Sequence, residues 1–110
     1  MSTPRDLATF FDALFGGRLL PPEALAEMQT TTVAVQGEVL GLGLQAVELP
    51  CGRFIGHSGS TPGYKAAAFT DLARDRQFVI VVNSLTQDDR VGDEQAAAAF
   101  DEAVRSAACD

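Results

Sequence analysis

Residues 53 to 70 confine this chain more than any other stretch. Arg53-Phe54-Ile55 reads as a short strand and Lys65 to Thr70 as another. Between them lies Gly56-His57-Ser58-Gly59-Ser60-Thr61-Pro62-Gly63-Tyr64, in which three glycines and a proline surround three hydroxyl residues. Such a segment is a strand end running into a tight Pro-Gly turn, so the two strands form a hairpin. It also holds the only histidine and the only tyrosine of the protein. Hydroxyls and backbone N–H groups at a strand end can face a ligand instead of a ladder partner, which makes this the place to look for chemistry. The plain alternatives are a surface strand histidine for His57 and ordinary turn chemistry for Ser58 and Ser60.

The remainder of the chain can be read around that hairpin. Ser2-Thr3-Pro4-Arg5-Asp6 is a helix start, with a hydroxyl cap, a first-turn proline and an early acid. Leu7, Phe10, Phe11 and Leu14 then repeat at helical spacing, and Gly16-Gly17 closes the helix. Pro21-Pro22-Glu23 opens a second helix to about Gln29, with Leu25 and Met28 inward. Thr30 to Gly37 reads as a loop or frayed strand. Leu40, Leu42 and Leu44 alternate with Gly41, Gly43 and Gln45, the period of a half-buried strand, and Glu48 to Gly52 is the turn back into the hairpin. Ala73 to Arg76 is a charged turn, and Phe78-Val79-Ile80-Val81-Val82 is a strand covered on both faces. Gln87 to Asp93 is an acidic loop. A helix follows from Asp93-Glu94 to about Ala108, with Ala96 or Ala97, Phe100, Val104 and Ala107 on its inner stripe. The phenylalanines are expected in the core. The order predicts an α+β single domain over residues 1–110. Its antiparallel sheet has three to four strands, with helices at both termini packed on it.

Charge and length exclude several function classes. A net charge of −7 with scattered basic residues argues against nucleic acid. No apolar run nears the roughly 20 residues of a membrane span, and the first residues lack the features of a signal peptide. His57, Cys51 and Cys109 give no metal-ligand spacing, and neither metal nor cofactor is expected. The two cysteines read as buried free thiols or as one long-range disulfide implying an oxidising compartment; spacing leaves both open. Lys65, the only lysine, reads as a solvated strand residue. Asp71, Asp75 and the Asp88-Asp89 pair read as loop charges.

Four pieces together carry a family resemblance. Gly56 through Tyr64 contains His57-Ser58-Gly59; the others are Ser2 through Pro21, Gly41-Leu42-Gly43-Leu44, and Phe78 through Ser84. In combination they resemble the C-terminal third of the serine penicillin-binding proteins and β-lactamases, above all D-alanyl-D-alanine carboxypeptidases and class C-like β-lactamases. His57-Ser58-Gly59 looks like the family's third active-site motif. The resemblance implies that His57, Ser58, Gly59, Ser60 and Thr61 bind substrate. In that reading the Ser58 and Ser60 hydroxyls grip a substrate carboxylate, and the Ser60 N–H is one oxyanion donor. It also implies a Cys51–Cys109 disulfide and a secreted or extracytoplasmic parent protein. Gln45 sits where some carboxypeptidase relatives bring a basic residue to the carboxylate.

The departures bear on activity. No serine is followed three residues later by lysine, so the family's Ser-x-x-Lys nucleophile pair is missing. The second motif is missing too, and the chain is expected to begin after both. The expectation is a C-terminal fragment of a serine hydrolase, inactive alone. It would act on a β-lactam or D-Ala-D-Ala peptide only with the N-terminal part supplied. The alternative is a non-catalytic module that self-associates or binds peptidoglycan-like ligands. A homodimer is expected, because Phe78–Val82 would lack a neighbour on one edge.

Overall fold

Thr3 starts the chain's order, accepting the Asp6 N–H on its side chain at 3.1 Å and capping helix α1, Pro4–Phe15. The computed structural model describes residues 1–30, 33–35, 38–83 and 92–110. Helix α2 is Pro22–Gln29. Six strands follow: β1 Val33–Val35, β2 Glu38–Leu40, β3 Gln45–Leu49, β4 Gly52–Thr61, β5 Tyr64–Asp71 and β6 Arg76–Val82. Helix α3, Gly92–Cys109, ends the chain. The expected acidic loop at Gln87 to Asp93 and the Asp88-Asp89 pair lie mainly outside the described residues, as does Ser84.

The sheet is an antiparallel meander in the order β1-β2-β3-β4-β5-β6. Expectation and structure agree on α+β and on helices packed at both ends of the chain. The sheet has six strands, not the three to four expected, because the Thr30–Gly37 segment contributes β1 and the single strand expected around Leu40–Gln45 is instead β2 and β3 on either side of a turn. The Leu40–Leu44 alternation is also not a strand. Gly41 N–H donates to the Leu44 carbonyl at 2.8 Å, which closes a turn between β2 and β3. Leu44 tucks into the core there while Leu42 is left exposed.

Two cores lie on opposite faces of the sheet. On one, Phe54, Ala67, Phe69 and Phe78 meet Phe100 and Ala108 of α3. On the other, Leu44 and Ala68 meet Phe11 and Leu14 of α1, with Leu25 and Met28 of α2 beside them. Alanines at both faces of β5 leave room for a helix to lie close on each side. The inner stripe of α3 is Phe100, Val104 and Ala108, with Ala107 exposed, a strict four-residue step. Phe10 departs from the core expectation as well. It is half exposed and stands edge-on to Phe11 at 5.2 Å.

The expected strand at Phe78–Val82 is present as part of β6, but it lies at the end of the sheet order. Helix α1 covers one face and α3 the other. Near the strand's end Val81 remains 42% exposed, so cover on both faces is incomplete. Gln77 Nε2 ties β6 to α1 by donating to the Ala8 carbonyl at 3.1 Å.

The cysteines are joined. Cys51 in the β3–β4 turn bonds Cys109 at the end of α3, with Cα atoms 5.4 Å apart, inside the ordinary range for a disulfide. Arg74 donates to the Cys51 carbonyl and lies 3.7 Å from the buried Asp71 carboxylate. Asp71 is therefore more than a loop charge. Its Oδ1 accepts the Ala73 and Arg74 N–H groups and fixes the β5–β6 turn.

Candidate functional site

The expected site is the second half of a strand that runs into the Pro-Gly turn, and that strand is longer than Arg53-Phe54-Ile55 alone. Gly56 through Thr61 belong to the ten-residue β4, paired throughout with β5 from Ile55↔Thr70 to Thr61↔Tyr64. Pro62-Gly63 makes the two-residue turn, and Gly63, at φ 83, takes the conformation that position demands. Gly56 is held by contact. A Cβ there would overlap the Ala68 carbonyl oxygen and come within 2.8 Å of the Phe69 Cα, so β4 and β5 approach closely because Gly56 lacks one.

Availability to a ligand comes from unequal strand lengths. β3 has five residues and β4 has ten, and their pairing ends at Gln45↔Gly56. The β3-facing edge of β4 therefore overhangs from His57 to Thr61. Two side chains cap the first backbone groups of that overhang. Gln45 Oε1 accepts the Ser58 N–H at 2.8 Å and the Ser58 hydroxyl at 2.9 Å. His57 Nδ1 donates to the Ser58 carbonyl. By the two-residue alternation of a strand, the Ser60 N–H and C=O face the same edge, one step beyond β3.

The five expected site residues do not all converge. Ser58 pairs with Ala67 and Ser60 with Lys65, on the α3 face; His57 pairs with Ala68, on the α1 face. The imidazole and the serine hydroxyls are thus on opposite faces and meet only at the edge, through the Ser58 backbone. Gly59 is exposed, and a Cβ there would touch nothing within 4 Å. Thr61 is exposed at the end of β4.

On the α3 face a cleft of about 300 Å³ adjoins Ser58. Val47, Ala67, Phe69 and Phe100 floor it, and Gln45, Lys65, Asp101 and Arg105 form its rim. Lys65 is not simply solvated: its Nζ stands 4.7 Å from the centroid of the Phe100 ring, a cation–π contact between two residues lining the cleft. Sequence reading missed Arg105 and Asp101, and no local motif marks them. Among the described residues no group of three His, Cys, Asp or Glu side chains could hold a metal ion. Among the described residues no helix is long and apolar enough to cross a membrane.

Comparison with known proteins adds the following. The family model described as Beta-lactamase matches residues 1–102. A D-stereospecific amidohydrolase from Streptomyces is 37% identical over 76% of this chain, with a TM-score of 0.69. The D-amino acid amidase from Ochrobactrum anthropi SV3, solved with D-phenylalanine, is 29% identical over 93% of this chain, with a TM-score of 0.70. The same amidase with L-phenylalanine superposes over 96% of this chain, at 27% identity and a TM-score of 0.71. This chain spans 26% of the Streptomyces protein and 36% and 32% of the two amidase chains.

Proposed function

The chain belongs to the beta-lactamase family, and from that premise we propose that it is the C-terminal part of a serine hydrolase, supplying one wall of the active site. The observation that carries this reading is the overhang of β4, whose Ser60 N–H faces an edge that β3 does not reach. A donor held rigidly at a strand edge is what stabilises an oxyanion in acyl transfer. His57 supplies a polar nitrogen at the same edge, and the nucleophile and its lysine belong to another part of the hydrolase. The substrate is an amide whose acyl part is a D-amino acid or a D-alanyl peptide, with β-lactams as a related class. The kinship with D-amino acid amidases favours the amide. The Cys51–Cys109 bridge suits an extracytoplasmic parent protein.

This reading makes the chain inactive alone, since loss of the nucleophile removes roughly 10⁶ of a serine hydrolase's rate. Incubation with a fluorescent penicillin, followed by gel and intact-mass measurement, is expected to show no adduct. Stoichiometric acylation of Ser58 or Ser60 would overturn it.

A second reading, a self-associating module, draws on β6. Its outer edge has no strand beside it among the described residues, and Val81 is exposed there. Such an edge accepts another strand, and a homodimer paired through β6 is the expected form at micromolar concentration. Sedimentation equilibrium tests this. A monomer with full amide protection along Phe78–Val82 would rule the dimer out.

A further inference from the structure

The bond between Gln45 and Ser58 fixes where one proton lies. Gln45 opens β3, and its side chain reaches past the last backbone pairing to the Ser58 N–H, 2.8 Å from Oε1. A backbone N–H only donates, so the amide end facing it must be the oxygen. The same oxygen lies 2.9 Å from Ser58 Oγ. Two oxygens at that distance share a proton, and the amide oxygen has none to give, so the hydroxyl proton points at Gln45. What Ser58 Oγ presents to a ligand is lone pairs only. A carboxylate is acceptor-only and finds no donor in that hydroxyl, whereas a carboxamide or an amine brings the missing N–H.

We infer that Gln45 is a specificity-determining residue: it makes the Ser58 position an acceptor, so the site selects a ligand bearing a carboxamide or amine there over one bearing a carboxylate. This rests on the binding role proposed above for the β4 edge and names the polarity of the group bound. It replaces the expectation that the Ser58 hydroxyl grips a carboxylate, and it leaves Ser60 out of that comparison. Gln45 acts without touching the reacting bond, through the orientation of the Ser58 hydroxyl.

The test uses the ¹⁵N-labelled chain titrated with N-acetyl-D-phenylalaninamide and, separately, N-acetyl-D-phenylalanine, following the Ser58, Gly59 and Ser60 amide resonances. The neutral amide is expected to shift them at about tenfold lower concentration than the acid, as one unmatched polar contact implies. Gln45→Met has similar length, no charge and no strong acceptor, frees the Ser58 hydroxyl to donate, and is expected to abolish or invert the preference. Gln45→Glu is isosteric, keeps the acceptors, and is expected to retain it. A structural role for Gln45 would change both affinities together without changing their ratio. Equal binding of acid and amide by the unaltered chain, or an unchanged ratio in Gln45→Met, overturns the assignment to Gln45. If neither ligand moves these resonances, the binding role of the β4 edge falls, and the inference with it.

Discussion

Reduction of the Cys51–Cys109 bridge, or Cys109→Ser, is expected to lower stability by about 4 kcal/mol. The bonded residues are 58 apart in sequence. A cross-link over a loop of that length removes much of the unfolded chain's freedom. In a domain of this size the loss corresponds to a fall in Tm of more than ~15 °C. The folded state also depends on the bridge locally. Ala108 beside it is 1% exposed and lies in the same cluster as Phe54, Phe100 and Val104. Release of Cys109 frees the last turn of α3 from the β3–β4 turn, and only this packing then holds it. Thermal melts with and without reductant measure the effect. A shift of less than ~2 °C would show that the bridge is incidental to the fold.

Phe54→Ala is expected to cost about 3–5 kcal/mol, the usual range for truncating a buried aromatic. Phe54 is 0% exposed, and its ring centroid lies 5.6 Å from that of Phe78. It contributes to the cluster shared by the sheet and α3, so the cavity forms where the two layers meet. Small domains hold only about 5–15 kcal/mol in total, so the variant should be largely unfolded in mild denaturant. Phe10→Ala is the control. That ring is 50% exposed, and its loss should cost well under half as much. Chemical denaturation of the two variants side by side is decisive, since equal midpoint shifts would contradict the burial just described.

Helix ends and the central hairpin were legible because local chemistry specifies them. Thr3 caps, Gly16 and Gly17 stop, and Pro62-Gly63 turns, each for reasons carried within four residues. The phase of α3 was not legible, because Ala107 and Ala108 are the same residue and only the Phe100–Val104 step separates them. Leu40 to Leu44 has a strand's periodicity, yet alternation is equally satisfied by a turn that buries Leu44 and exposes Leu42. The apolar run in β6 reads the same whether one neighbour or two lie beside it. At the site, the His-Ser-Gly residues were recognisable but their faces were not. Which way Ser58 points depends on the β3–β4 register, and that register brings Gln45 to it from 13 residues away. No local pattern in the sequence encodes that meeting; only the family resemblance placed Gln45 near the group that Ser58 was expected to bind.

In this sheet every strand lies beside its neighbour in the chain. Each pairing therefore closes a loop of only a few residues, which costs little entropy and lets the hairpins assemble one after another. The cysteines do not share that economy. Cys51 sits in a turn between two locally paired strands, while in the native structure Cys109 reaches it only with α3 packed across Phe54, Phe69 and Phe78. The bridge thus ties the last helix to the sheet, and none of the strand pairings depends on it.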